Sequence, residues 1–292
     1  MSATVEKNPL IQIYLSLDKS DCRRLGKWLD SPYHNQRDDV RALHAYLTGG
    51  ADRLDKTSAL TKTRVWKRLF PHEPFDDARL RQTFHWTLKA VEAFLAYENW
   101  RADGIGTQLA LVNELNRRRI PKATERSLKQ TDRLLNGVTI RNEAYFRKRY
   151  VLEQEHDYYR DFSKTRATPR FQEVADNLDV TYLIEKLRAT WNMLYHQRLY
   201  RTEYDVRFLD EVIGYVEQMD LSKYPVLAIH YYGYRGLTQQ DYSGDTIKLL
   251  RTAVNDHGNL LSSEDRRHVI LMAINLCITN MNRGHEAFIR EA

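Results

Sequence analysis

Apolar residues recur along this chain at intervals of three and four, and runs of alternating apolar and polar residues bounded by hairpin turns are missing. The pattern predicts an all-α fold. Asp18 and Ser20 stand where an N-cap belongs, ahead of Cys22, Leu25 and Trp28, and Ser31-Pro32 ends that helix because a residue before proline is pushed out of the helical region. Val40, Leu43 and Leu47 mark a second helix closed by Gly49-Gly50. Val65, Trp66, Leu69 and Phe70 form the inward side of a helix that stops at Pro71, and Asp76-Asp77 favours the start of the next. On that next helix Leu80, Phe84, Leu88, Val91 and Leu95 fall within about 80° of arc. Trp86, Ala90 and Ala93 lie on the far side, and a large indole with small neighbours there predicts that a second element packs against it.

Downstream, Gly104-Ile105-Gly106 breaks the pattern, and a helix from Thr107 leads into Arg117-Arg118-Arg119 before Pro121. In the following segment Lys122, Arg126, Lys129 and Arg133 occupy a stripe about 60° wide, with Leu128 and Leu135 on the opposite side. A long helix is predicted from Thr139 to Arg166, with Ile140, Tyr145, Tyr150, Leu152, Tyr159 and Phe162 as core candidates. From Asp179 the rhythm becomes regular, with helix starts expected near Val180, Glu203, Lys223, Gly244, Ser263 and Gly284. A helix plus its turn in roughly 20 residues is the period of stacked helix-pair repeats. The expected organisation is a helical bundle over 1–103 followed by helical repeats over 104–292. The apolar Ala287, Phe288 and Ile289 of the last predicted helix call for a cover, so the repeats are expected to continue beyond the chain or to meet another surface.

Composition narrows the class. With 292 residues and 42% apolar content the chain can bury a large core, which excludes wholesale disorder. MSATVEKNPLIQIYLSL lacks the layout of a secretory signal, and VILMAINLCI, broken by Asn275, falls short of the ~20 residues a membrane span needs. A cytoplasmic protein without membrane contact is expected. Charge adds one asymmetry. Residues 1–170 hold 32 Lys and Arg against 22 Asp and Glu, whereas 171–292 hold 13 against 17. An anionic partner therefore suits the N-terminal part better than the rest, against the plainer reading that the surplus only solvates the surface.

Candidate chemistry is sparse. Gly104 and Gly106 do not continue into a phosphate-binding loop, and there is neither HExxH nor GxSxG. Glu153 and His156 make a single Glu-x-x-His, where a di-iron bundle needs two. Cys22 and Cys277 sit on apolar stripes and read as core thiols, while Asp38-Asp39 and Asp76-Asp77 suit capping. No catalytic residue, metal or cofactor is expected. Ten of the 18 tyrosines fall between Tyr182 and Tyr242. Tyr224, Tyr231 and Tyr234 share a helix face that serves either packing or a peptide groove.

The stretches YPVLAIHYYGYRGLTQQ and AINLCITNMNRGHEAFIREA resemble tetratricopeptide-type (TPR-like) repeats without meeting their strict residue pattern. With SDCRRLGKWLDSPYHN and VWKRLFPHEPFDDARLRQTF, most of the chain is similar to a group of bacterial helical-repeat proteins of no assigned activity, which implies a scaffold. LFPHEPFDDARLRQTFHWTLKAVEAF also resembles the helix pair of winged-helix transcriptional activators that carry a TPR-like domain. That likeness implies that Arg79, Gln82 and Lys89 face DNA, but AYENWRAD continues as helix where those proteins have a β wing. Two functions follow as expectations. The first is a non-enzymatic scaffold binding another protein or peptide. The alternative is a DNA-binding regulator using 65–95 and the basic 117–133 region.

Overall fold

The computed structural model describes residues 4–50, 54, 57–163, 168–238 and 244–282. These residues hold thirteen α-helices and no strand, the one β-type contact being an isolated bridge between Thr4 and Thr61. None of the described helices is long and apolar enough to cross a membrane. The chain divides into two compact units, Met1–Gly104 and Ile105–Ala292.

The first unit contains α1 (Pro9–Ser16), α2 (Lys19–Asp30), α3 (Asp38–Thr48), α4 (Lys62–Leu69) and α5 (Asp77–Ala102), with a 3-10 turn at Thr57–Leu60. Local chemistry sets the starts. The Asn8 side chain accepts from the Leu10 N–H with Pro9 at the first helical position, Asp18 and Asp21 make a reciprocal capping box, and the Asp76 carboxylate accepts from Ala78 and Arg79. Helix α5 is the spine, packing on α1, α2, α3 and α4. Leu25, Leu43, Leu60, Val65 and Val91 are completely buried around it.

The face that α5 buries differs from the expected one. Its buried residues are Leu80, Thr83, Phe84, Thr87, Val91 and Phe94, whereas Leu95 is exposed. Two threonines belong to the core because their hydroxyls are satisfied at home. Thr87 donates to the Thr83 carbonyl at 2.8 Å, and Thr83 bonds the Arg79 carbonyl and the Asp39 carboxylate. The stripe is therefore rotated, and the expectation of a second element against the far side is overturned. Trp86 is 44% exposed, with Arg37 over one face of its ring, and Ala93 is exposed too.

The second unit contains α6 (Gly104–Arg117), α7 (Pro121–Asn136), α8 (Glu143–Ser163), α9 (Phe171–Tyr200), α10 (Leu209–Val216), α11 (Pro225–Thr238), α12 (Asp245–His257) and α13 (Ser263–Met281). Helix α6 opens on Gly104, inside the glycine pair expected to break the chain. The start expected at Val180 is absent, because α9 runs unbroken through Asp179. That aspartate lies on the exposed side, where its modest helix-propensity cost is no barrier. The starts at Pro225, Asp245 and Ser263 lie within two residues of expectation, whereas the one expected near Glu203 falls six residues later, at Leu209, after a non-helical stretch; Gly284, Ala287, Phe288 and Ile289 lie outside the described residues. Helix α9 packs on α8 and α11, and α11 also contacts α12 and α13. Ile184, Leu187 and Trp191 from α9, Leu227 and Ile229 from α11, and Val269 from α13 form the buried centre.

Candidate functional site

Three consecutive arginines close α6, and they meet different fates. Glu114 accepts from both Arg117 and Arg118 at 2.6–2.7 Å, and these hydrogen bonds, Arg117 first, hold its carboxyl at about 2. Arg119 lies at φ 53°, in the left-handed region. Its N–H donates to the Asn116 carbonyl at 2.9 Å, and the Ile120 N–H donates to the Leu115 carbonyl at 3.2 Å. These two bonds define a Schellman ending, in which the left-handed position belongs to glycine. An L-residue with a full side chain costs about 1 kcal/mol or more there.

Helix α7 begins immediately afterwards. Leu128, Thr131 and Leu135 are buried against its neighbours, while Lys122, Arg126, Lys129 and Arg133 are all exposed on the opposite side. The four cations run about 16 Å along the helix. With Glu125 and Gln130 they line a shallow depression of about 390 Å³. Lys129 is paired with Glu125 at 2.6 Å, and among the described residues Lys122, Arg126 and Arg133 have no ion partner. Ile120 at the N-cap contributes no side-chain bond, and the first turn holds no acidic residue to offset Lys122.

The other side of α7 is tied down by charge. Asp132 pairs with His156 at 2.9 Å and with Arg149 at 3.3 Å. Burial raises the Asp132 carboxyl, but the hydrogen bond and charge of His156 together with Arg149 outweigh it and leave it below the usual carboxylate range. Glu153, wholly buried, lies 3.5 Å from Arg149 and 3.0 Å from Arg170. Beside it, Asn113 and Asn116 donate to the Glu155 carboxylate at 2.7 and 2.6 Å. His156 packs against α7 through Asp132, and Glu153 lies between Arg149 and Arg170; the Glu-x-x-His spacing by itself gave no sign of these partners. Nothing at helical spacing distinguishes an inward-facing glutamate from a solvated one until its cationic partners on α8 and at the start of α9 are placed. Among the described residues no group of three His, Cys, Asp or Glu side chains is arranged to hold a metal.

The alternative site residues are spread over different surroundings. Arg79 is exposed but engaged, paired with Glu73 and held 4.1 Å above the Phe70 ring. Lys89 pairs with Glu92 at 3.2 Å, and Gln82 is exposed. Of the tyrosines, Tyr231 is buried; its hydroxyl donates to the Glu217 carboxylate at 2.8 Å and accepts from Arg235 at 2.6 Å. Tyr224 and Tyr234 are half-buried against the core, so this face packs inward and offers little open surface. In the first unit a 750 Å³ depression is lined by Tyr14, Cys22 and His44, with the Tyr14 hydroxyl 2.8 Å from His44 Nδ1. Burial, helped by Asp21 and Asp18, pushes the Cys22 thiol up, which is the wrong direction for a nucleophile. Cys277 is buried.

The chain matches no family model, no curated protein and no solved structure with which it was compared.

Proposed function

We propose that this chain is a non-catalytic scaffold of TPR-like packed helix pairs that holds an acidic segment of another protein along the outer face of α7. One observation carries the reading: Lys122, Arg126 and Arg133 lie on one exposed face without an ion partner among the described residues. Fold stability does not account for them. Neighbouring cations on one helix face repel, and Lys122 sits at the positive end of the helix dipole. A line of carboxylates on a partner would relieve both penalties and be steered to the face by charge. The Asp132–His156 and Asp132–Arg149 pairs support the same reading, because they tie a flank of α7 to α8 and leave the cationic face uncovered.

A second reading, a DNA-binding regulator, is favoured by the exposure of Trp86 and Ala93, which leaves the outer side of α5 with Gln82 and Lys89 open. Titrating the full chain with a fluorescein-labelled oligo-glutamate and with a random duplex DNA, each at two salt concentrations, separates the two. The scaffold reading expects the oligo-glutamate to bind at low salt and weaken as salt rises. The double change Arg126→Glu and Arg133→Glu should reduce that affinity at least about tenfold. The control Lys67→Glu with Arg68→Glu on α4, equal in charge, should leave it nearly unchanged. Equal losses in both variants would reduce the binding to net charge alone. Tight duplex binding that Gln82→Ala and Lys89→Ala weaken, with a steep salt slope, would replace the scaffold by the regulator.

A further inference from the structure

We infer that Arg119 is a fifth contact of the cationic face, standing at the glycine position of the α6 ending because the acidic partner needs its guanidinium there. The inference rests on the reading of α7 as an anion-binding face. Three observations meet at this residue. Its backbone is left-handed at φ 53° within a Schellman ending, where glycine would sit without strain. Its side chain is exposed and, unlike Arg117 and Arg118 on Glu114, makes no ion pair among the described residues. It also stands two residues before Pro121, on the turn that leads into the cationic helix α7.

Local structure supplies no reason for arginine. The Glu114 carboxylate, held near 2, stays ionised through the physiological range and is already occupied by two guanidinium groups, leaving the third charge to the corner. The two bonds of the ending fix the Arg119 backbone at the end of α6, just ahead of α7. A partner would meet it at one end of the row.

The test uses the full chain and the same oligo-glutamate probe, with thermal unfolding measured in parallel. Arg119→Gly is expected to raise Tm by about 2–4 °C and to weaken binding about threefold at low salt. Arg119→Asn, which tolerates the left-handed conformation but carries no charge, should lose the same affinity, so that a loosened corner is not the cause. Arg119→Lys should keep both Tm and most of the affinity. If Arg119→Gly and Arg119→Asn bind like the parent while Arg126→Glu with Arg133→Glu does not, Arg119 has no part in recognition and the α7 face stands without it. Should the parent fail to bind oligo-glutamate at all, the face itself is misread and this inference goes with it. A Tm unchanged in Arg119→Gly would remove the conformational cost on which the inference is built.

Discussion

Lowering the pH from 6.5 to 4 is expected to cost the second unit on the order of 3 kcal/mol through His230 alone. This imidazole, on α11, is 2% exposed and lies edge-on to Trp191 with ring centroids 6.3 Å apart. Among the described residues its buried Nδ1 has no hydrogen-bond partner. Burial pushes it down to about 4, with Arg188 of α9 and His268 of α13 adding to the shift and Asp265 of α13 opposing it. The unfolded chain takes up a proton below about 6.5 and the folded one only near 4, so the sign is fixed. Stability from this group is complete above 6.5, falls as the pH drops between the two values, and is level below. Urea unfolding of the parent and of His230→Leu across this range checks it, with the variant expected to lose the slope attributable to this ring. Identical acid slopes in the two proteins would sink the assignment.

Changing Gly233 to alanine should destabilise the same unit by about 2 kcal/mol, against the usual gain for a glycine in mid-helix. A β-carbon there would lie 2.5 Å from Cζ3 of Trp191 and 2.6 Å from Cη2. Trp191 is 1% exposed and belongs to the close-packed core cluster of α9, α11 and α13, so its ring has little room to move aside. Gly214 in α10 is the counter-case. Nothing lies within 4 Å of its hypothetical β-carbon, so Gly214→Ala should stabilise by about 0.5–1 kcal/mol. Thermal and urea midpoints of the two variants should move in opposite directions. A Gly233→Ala protein as stable as the parent would mean that α9 and α11 do not meet at this depth.

Both positions show what kind of information a linear pattern holds. Gly233 reads as one more glycine in a tyrosine-rich helix, and its necessity comes from an indole 42 positions earlier. The ends of α2, α3 and α4 were legible because proline, glycine and capping carboxylates act on their immediate neighbours. The cationic face was legible for the same reason, since helix geometry alone brings residues three and four apart to one side. Less of the α5 surface was legible. Thr83 and Thr87 look polar in one dimension, yet α5 supplies each of them with a carbonyl and makes them core residues. Arg119 could have been noticed as a non-glycine residue at the end of α6 just before Ile120-Pro121, but its left-handed backbone emerges only with the turn itself.

Local and periodic features were therefore readable along the chain: helices throughout, most of their capped ends in the first unit, the register of Lys122, Arg126, Lys129 and Arg133, and the lack of familiar catalytic motifs. Packing in three dimensions set which side of α5 faces solvent, carried α9 unbroken from Phe171 to Tyr200, turned Tyr231 inward and buried Glu153 between two arginines. The division follows from range. Capping and periodicity act across a few residues of backbone, whereas burial and charge pairing depend on side chains brought together from distant parts of the chain.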